Sequence, residues 1–166
     1  MSGLLRNFIA FVAGCFAYGS RPASATTSVR LWVTPFDAGL QVLKSDRYLL
    51  FAETAQVDYL LRVGRFFAVL RSGARFVNVA AHVRFQRPVP MFSVVRVETR
   101  LLHTDGRHAW FAHVFVVVGE PAAEVWVKMK FKKGRLTVPP ATFLDADFGA
   151  MPEPVRAWEA MLVAQD

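Results

Sequence analysis

The sequence predicts an α+β fold in which an antiparallel sheet wraps around one long helix. The first observation is Ser45–Gly64, a helical segment that is apolar nearly all round, with Tyr48, Leu49, Leu50, Phe51, Ala52, Ala55, Val57, Tyr59, Leu60 and Leu61. A helix with so little polar face must be covered on most of its sides. The second is the company it keeps: one short strand-like run before it and four long ones after it. The third is length: 166 residues, 54% of them apolar and 20% charged, suit one domain with a sizeable core.

Taken in order, residues 1–28 read as an arm or targeting segment. Arg6, Arg21 and Arg30 are the only charges before Asp37, the first acid. Basic, acid-poor and rich in Ser, Thr and Ala is the composition of a mitochondrial presequence, so a mitochondrial location is expected. The apolar stretch Phe8–Tyr18 is 11 residues long, against about 20 for a membrane span. A secretory signal with a small-residue site near Ala23–Ala25, or a membrane anchor, is the alternative.

The main domain spans 29–138. Val29–Thr34 is its first strand, ended by Pro35, and Phe36–Lys44 is a loop. Ser45 or Asp46 is expected to cap the helix and Gly64 to end it. Arg65–Ala74 is a short basic connection. In Arg75–Arg87, Val77, Val79, Ala81, Val83 and Phe85 alternate with Asn78, His82, Arg84 and Gln86. Pro88 and Pro90 break the run. Phe92–His103 points Val95, Val97 and Leu101 inward and Arg96, Glu98 and Arg100 outward. Asp105-Gly106 marks a hairpin. His108–Val118 is apolar on both faces and so belongs at the middle of the sheet. After a turn at Gly119–Ala123, Glu124–Lys133 sets Val125, Val127, Met129 and Phe131 against Lys128, Lys130 and Lys132. Residues 139–166 form an extension with a short helix over Pro152–Ala164. A sheet of this kind leaves two open edges, and edge-to-edge pairing into a homodimer is expected.

The single cysteine, Cys15, excludes an internal disulfide and a Cys-based metal cluster. His82, His103, His108 and His113 have no metal-ligand spacing, so no metal is expected, and nothing calls for a cofactor. Ser45 lies outside any nucleophile-elbow pattern. The net charge of +7 favours polyanionic partners: nucleic acid, phosphorylated cofactors or acidic lipid. Lys128, Lys130, Lys132, Lys133 and Arg135 carry no acid between them. With Arg84, Arg96 and Arg100 they compose an outward basic face, which suits phosphate groups or RNA backbone read without sequence. A plain solvated surface is the other reading.

The order of elements, with Pro35-Phe36-Asp37, Arg47-Tyr48-Leu49, Glu53, Gly64 and Val83-Arg84-Phe85-Gln86-Arg87-Pro88, resembles the hot-dog fold, in particular the 4-hydroxybenzoyl-CoA thioesterase-like family. The resemblance covers about Val29 to Arg135. It implies acyl-CoA thioester hydrolysis, with a loop carboxylate attacking or activating water and amides at the helix start holding the oxyanion. By position, Asp37 is the catalytic carboxylate, Glu53 is the second, and Arg47 and Tyr48 carry the oxyanion and substrate contacts. Arg84, Arg87, Lys128, Lys130, Lys132 and Lys133 would meet CoA phosphates or, alternatively, RNA backbone. The chain departs from the family at Val42, Leu43, Lys44, Ser45 and Asp46, which stand where the family has a His and paired Asn. Two functions follow. One is a mitochondrial acyl-CoA thioesterase or acyl-binding relative, acting as a homodimer or with another hot-dog-type partner. The other is a non-catalytic subunit of a large mitochondrial assembly, such as the mitochondrial ribosome, docked on RNA or protein through the basic face. Against the catalytic roles, Asp37 before Gly39 is also ordinary turn chemistry, and Glu53 could form a structural pair.

Overall fold

The computed structural model describes residues 2–144 and 149–164, with side chains from Asn7 onward. The side chain of Arg6 and the segment 145–148 of the C-terminal extension lie outside the described residues. The elements in chain order are α1 (Ser2–Phe16), β1 (Thr27–Trp32), α2 (Ser45–Arg62), α3 (Phe66–Ser72), β2 (Arg75–Phe85), β3 (Val94–Thr104), β4 (Ala109–Val117), β5 (Glu120–Lys133), β6 (Leu136–Val138) and α4 (Glu153–Val163). The strands form one antiparallel sheet in the order β1-β3-β4-β5-β2, and β6 folds back on the end of β5.

This is the hot-dog arrangement the sequence led us to expect. α2 lies on the inner face of the sheet, where Tyr48 and Phe51 meet Phe115 and Tyr59 meets Phe111 edge-on at 5.2 Å. β4 is central and is buried on both faces along most of its length. The inner face packs under α2. The outer face is covered by α4, whose Val155 and Trp158 close on Trp110 beside Trp126.

The N-terminal arm expected over 1–28 contains a helix that packs on the main domain, and several local expectations within that domain are corrected. α1 runs alongside α2, Asn7 Oδ1 accepting from the Thr54 hydroxyl at 3.0 Å and Gly14 lying against Leu61. The following turn is fastened to the end of α2 by Gly19 N–H to Leu61 C=O, Arg21 N–H to Arg62 C=O, and Tyr18 OH to Gly64 C=O. Among the described residues no helix is long and apolar enough to cross a membrane. Neither Ser45 nor Asp46 caps α2. The cap position is Lys44, which makes no side-chain capping bond. Gly64 does end the helix, at φ 72°. The basic connection after it holds a short helix, α3, and the end of the main domain holds a short strand, β6.

The largest change of phase is in β2. A register shift between Asn78 and Ala80 places a bulge at Val79. Before it, Phe76 and Asn78 pair with Phe131 and Met129 and turn to the core side, while Val77 pairs with Lys130 and is exposed. After it, Ala81 and Val83 pair with the core residues Val127 and Val125. The expected single face from Val77 to Phe85 is therefore two half-faces of opposite sense.

Candidate active site

The loop before α2 is built by its own short-range hydrogen bonds. Asp37, only 3% exposed, accepts from the Thr34 N–H (3.1 Å) and the Thr34 hydroxyl (2.7 Å), both at Oδ2. Its N–H returns to Thr34 C=O, and its own C=O accepts from Lys44 N–H at 3.0 Å. Ala38 bridges Leu43, and Leu43 N–H reaches Val89 C=O. The loop is thus a small closed hairpin that carries the backbone of Asp37 to the cap position of α2.

At that position the helix start opens. Lys44 gives the first turn no side-chain cap, and Arg47 N–H donates to Lys44 C=O. The expected oxyanion donor at Arg47 is therefore already engaged through its backbone. The other early amides share the positive end of the helix dipole. They border a groove of about 300 Å³ lined by Leu43, Ser45, Tyr48, Phe85, Gln86, Arg87 and Pro88. Tyr48 is buried there, 5.0 Å edge-on from Phe85 and 5.1 Å from Phe115, and burial raises its phenol above the usual range. Arg47 lies with Nε 3.5 Å from Asp46. Arg87 stands at the rim, 3.5 Å from Glu120, with both side chains exposed. The carboxylate of Asp37 is not part of the groove lining.

Glu53 faces elsewhere. The sequence reading put it in the interior of an apolar helix, where a lone charge is costly. It is in fact exposed, and Asn78 Nδ2 donates to its Oε1 at 3.2 Å. It lines a second groove of about 330 Å³, between α1, α2 and β2, with Asn7, Phe11, Leu50, Thr54, Val57 and Phe76. Eight residues separate it from Ser45, roughly 12 Å along the helix axis. One chain therefore does not bring Glu53 and the first-turn amides onto the same bond. Asn78 was missed by the sequence reading because only the bulge turns it inward.

The basic constellation is divided. α4 lies over part of it: Lys128 is ion-paired with Glu159 and stands 5.4 Å from the centre of the Trp110 ring. The expectation that Lys128 offers itself to phosphate on an open face is corrected by that pairing. Arg84 lines an outer groove with His82, Glu124, Trp126, Trp158 and Met161. Lys130 is half-buried, Lys132 donates to Arg135 C=O at 2.8 Å, and Lys133 is exposed. Among the described residues no group of His, Cys, Asp and Glu is arranged to hold a metal ion.

Comparison with known proteins gives the frame for this geometry. A family model described as the thioesterase-like superfamily matches residues 35–158. Among solved structures, a probable thioesterase from Bartonella henselae is 19% identical, with 69% of this chain and 98% of that one covered at a TM-score of 0.65. The DHNA-CoA thioesterase of Staphylococcus aureus is 13% identical, with 84% and 93% covered and a TM-score of 0.66. A 4-hydroxybenzoyl CoA thioesterase variant bound to 4-hydroxybenzoyl CoA is 12% identical, with 72% and 96% covered and a TM-score of 0.66. No match was found among curated protein sequences.

Proposed function

The chain belongs to the thioesterase-like superfamily, and from that premise we propose that it hydrolyses an acyl-CoA thioester at the start of α2. The observation that carries the reading is the uncapped first turn of α2. It opens on a groove and is joined directly to the loop of Asp37 through the Lys44–Asp37 backbone bond. A thioester carbonyl laid against that turn would have its developing negative charge met by orphan amides and the helix dipole. Tyr48 and Phe85 form the apolar wall, and Arg87 at the rim suits a phosphate of the CoA.

Asp37, buried and outside the groove lining, is proposed as the carboxylate that attacks or activates water by virtue of its loop's direct link to the helix start, and two Thr34 hydrogen bonds at Oδ2 orient it. Glu53 is the rival. At roughly 12 Å along the axis from the helix start, it reaches such a thioester only from a second protomer. The subunit reading has less support, because Lys128 is withdrawn from the basic face that reading requires.

The test is hydrolysis of a panel of acyl-CoAs by the wild type, Asp37→Asn and Glu53→Gln, with circular dichroism to show that each variant is folded. Loss in Asp37→Asn alone supports the loop carboxylate, and loss in Glu53→Gln alone transfers the role to the helix. Absence of turnover in the folded wild type on every chain length refutes the reading.

A further inference from the structure

The loop end of the molecule carries an apolar tip that neither the core nor the candidate site uses. Leu40 is 96% exposed, Phe36 72%, Phe92 63%, Trp32 58% and Val94 48%. Backbone pairing brings four of them to one end of the molecule, and Phe36 lies in the turn that Asp37 N–H closes on Thr34 C=O. Trp32 stands opposite Val94 across β1 and β3, and Phe92 N–H bonds to Val33 C=O. Leu40 is at the apex of a turn closed by Gly39 N–H to Val42 C=O, and Val42 bridges Pro90. Phe92 is held at φ 64°, a backbone conformation that bulky residues rarely adopt. Large exposed apolar patches mark interaction sites, and Trp, Phe and Leu are the apolar residues that surface-bound proteins bury at a membrane interface.

The charge behind the tip indicates which kind of surface it meets. Two residues back along each strand, Arg30 and Arg96 face one another in register on the same outer side. Two residues of strand are about 7 Å, so an inserted tip would set both guanidinium groups at the depth of lipid headgroups. Arg96 shares its charge with Glu98 at 3.0 Å. Arg30 has no ion pair among the described residues. The chain as a whole carries +7. A second copy of the chain is a weaker fit, because β1 and the open β2 edge lie at opposite sides of the sheet.

We propose that this end of the molecule docks on an anionic lipid bilayer, with Trp32, Phe36, Leu40, Phe92 and Val94 inserted and Arg30 and Arg96 at the headgroups. The proposal does not depend on catalysis. It would, however, turn the groove at the start of α2 toward the membrane surface, since the same loop leads into it.

Co-sedimentation of the full chain with phosphatidylcholine vesicles, with and without phosphatidylserine, tests it. The wild type is expected to pellet with the anionic vesicles, less so in high salt. The double variant Leu40→Ser, Phe92→Asn is expected to bind roughly tenfold or more weakly, having lost two apolar anchors. Arg30→Gln is expected to reduce the preference for phosphatidylserine. Unchanged far-ultraviolet circular dichroism and melting show that the variants are folded. Three results overturn the proposal: no binding to either vesicle, binding that the double variant leaves unchanged, or a change of sedimenting mass in the double variant without vesicles, which assigns the tip to a protein contact.

Discussion

His113 is a histidine wholly enclosed by the fold. It is fully buried, stacked 6.2 Å from Phe111, and its Nδ1 is 2.9 Å from the Thr99 hydroxyl while Nε2 has no hydrogen-bond partner. Burial pushes its pKa down to about 3, so the fold holds it neutral. The unfolded chain takes up that proton below about pH 6.5. This group therefore leaves stability intact above pH 6.5 and erodes it as pH falls toward 3, by up to about 1.4 kcal/mol per pH unit. Urea unfolding of the wild type at pH 6.5 and pH 5 should differ by about 1–2 kcal/mol on this account. A folded His113→Asn variant should lose most of that difference, and an unaltered pH slope would refute it. Lys128 and Glu159 make the second residue-scale prediction. Both are mostly covered, so Glu159→Ala leaves a cation against Trp110 with no carboxylate. A cost of about 1–3 kcal/mol is expected from chemical denaturation, and Glu159→Gln, which keeps a hydrogen-bond acceptor, should cost less.

Helix α1 shows what an element can hide in its composition. Its contact with α2 depends on Gly14, where an added Cβ would come within 2.7 Å of Leu61 Cδ1 and 3.2 Å of Leu61 Cβ. Gly14→Ala should cost about 1–3 kcal/mol by overpacking, or free α1 from α2, which protease protection of residues 2–20 would detect. The β4–β5 turn offers the opposite case. Val118 is exposed at φ 51° beside Gly119 at φ 84°, a two-residue hairpin turn that favours Asn-Gly. Val118→Asn should stabilise the protein by about 0.5–1 kcal/mol, seen as a raised melting temperature. The sequence made the long elements plain because their periodicity is set by burial: α2 was placed to within two residues at its end, and β4 was placed at the centre of the sheet. It misled where the signal is weak or shared. Val77, Val79 and Ala81 alternate without a break, so a one-residue bulge leaves no mark on the pattern, yet it decides that Asn78 faces Glu53. α3 and β6 are too short to build a period. The packing of α1 on α2 was not legible because an apolar stretch with few acids is common to presequences and to helices that pack on other helices. The start of α2 and the residues Tyr48, Phe85 and Arg87 were visible by resemblance. That Arg47 N–H is engaged and that Thr34 binds Asp37 were not, because both depend on turn geometry.

At the scale of the whole molecule, β2 is an open edge with Val77 and Val79 exposed beside it. Such an edge is a template for a second strand, and a homodimer closed through β2 is the arrangement we expect. Val77→Lys with Val79→Lys should leave the fold unchanged by circular dichroism and lower the mass in sedimentation velocity from dimer to monomer. Glu53 would need a second protomer to meet the start of an α2, so the association state and the identity of the carboxylate are linked questions. The central claim is that the uncapped start of α2, with the loop of Asp37, is a thioester-hydrolysing site. Its most direct measurement is steady-state acyl-CoA hydrolysis by the wild type beside folded Asp37→Asn. The account predicts turnover in the wild type and a loss of about a hundredfold or more in the variant. No turnover in the folded wild type, or a variant as active as the wild type, would contradict it.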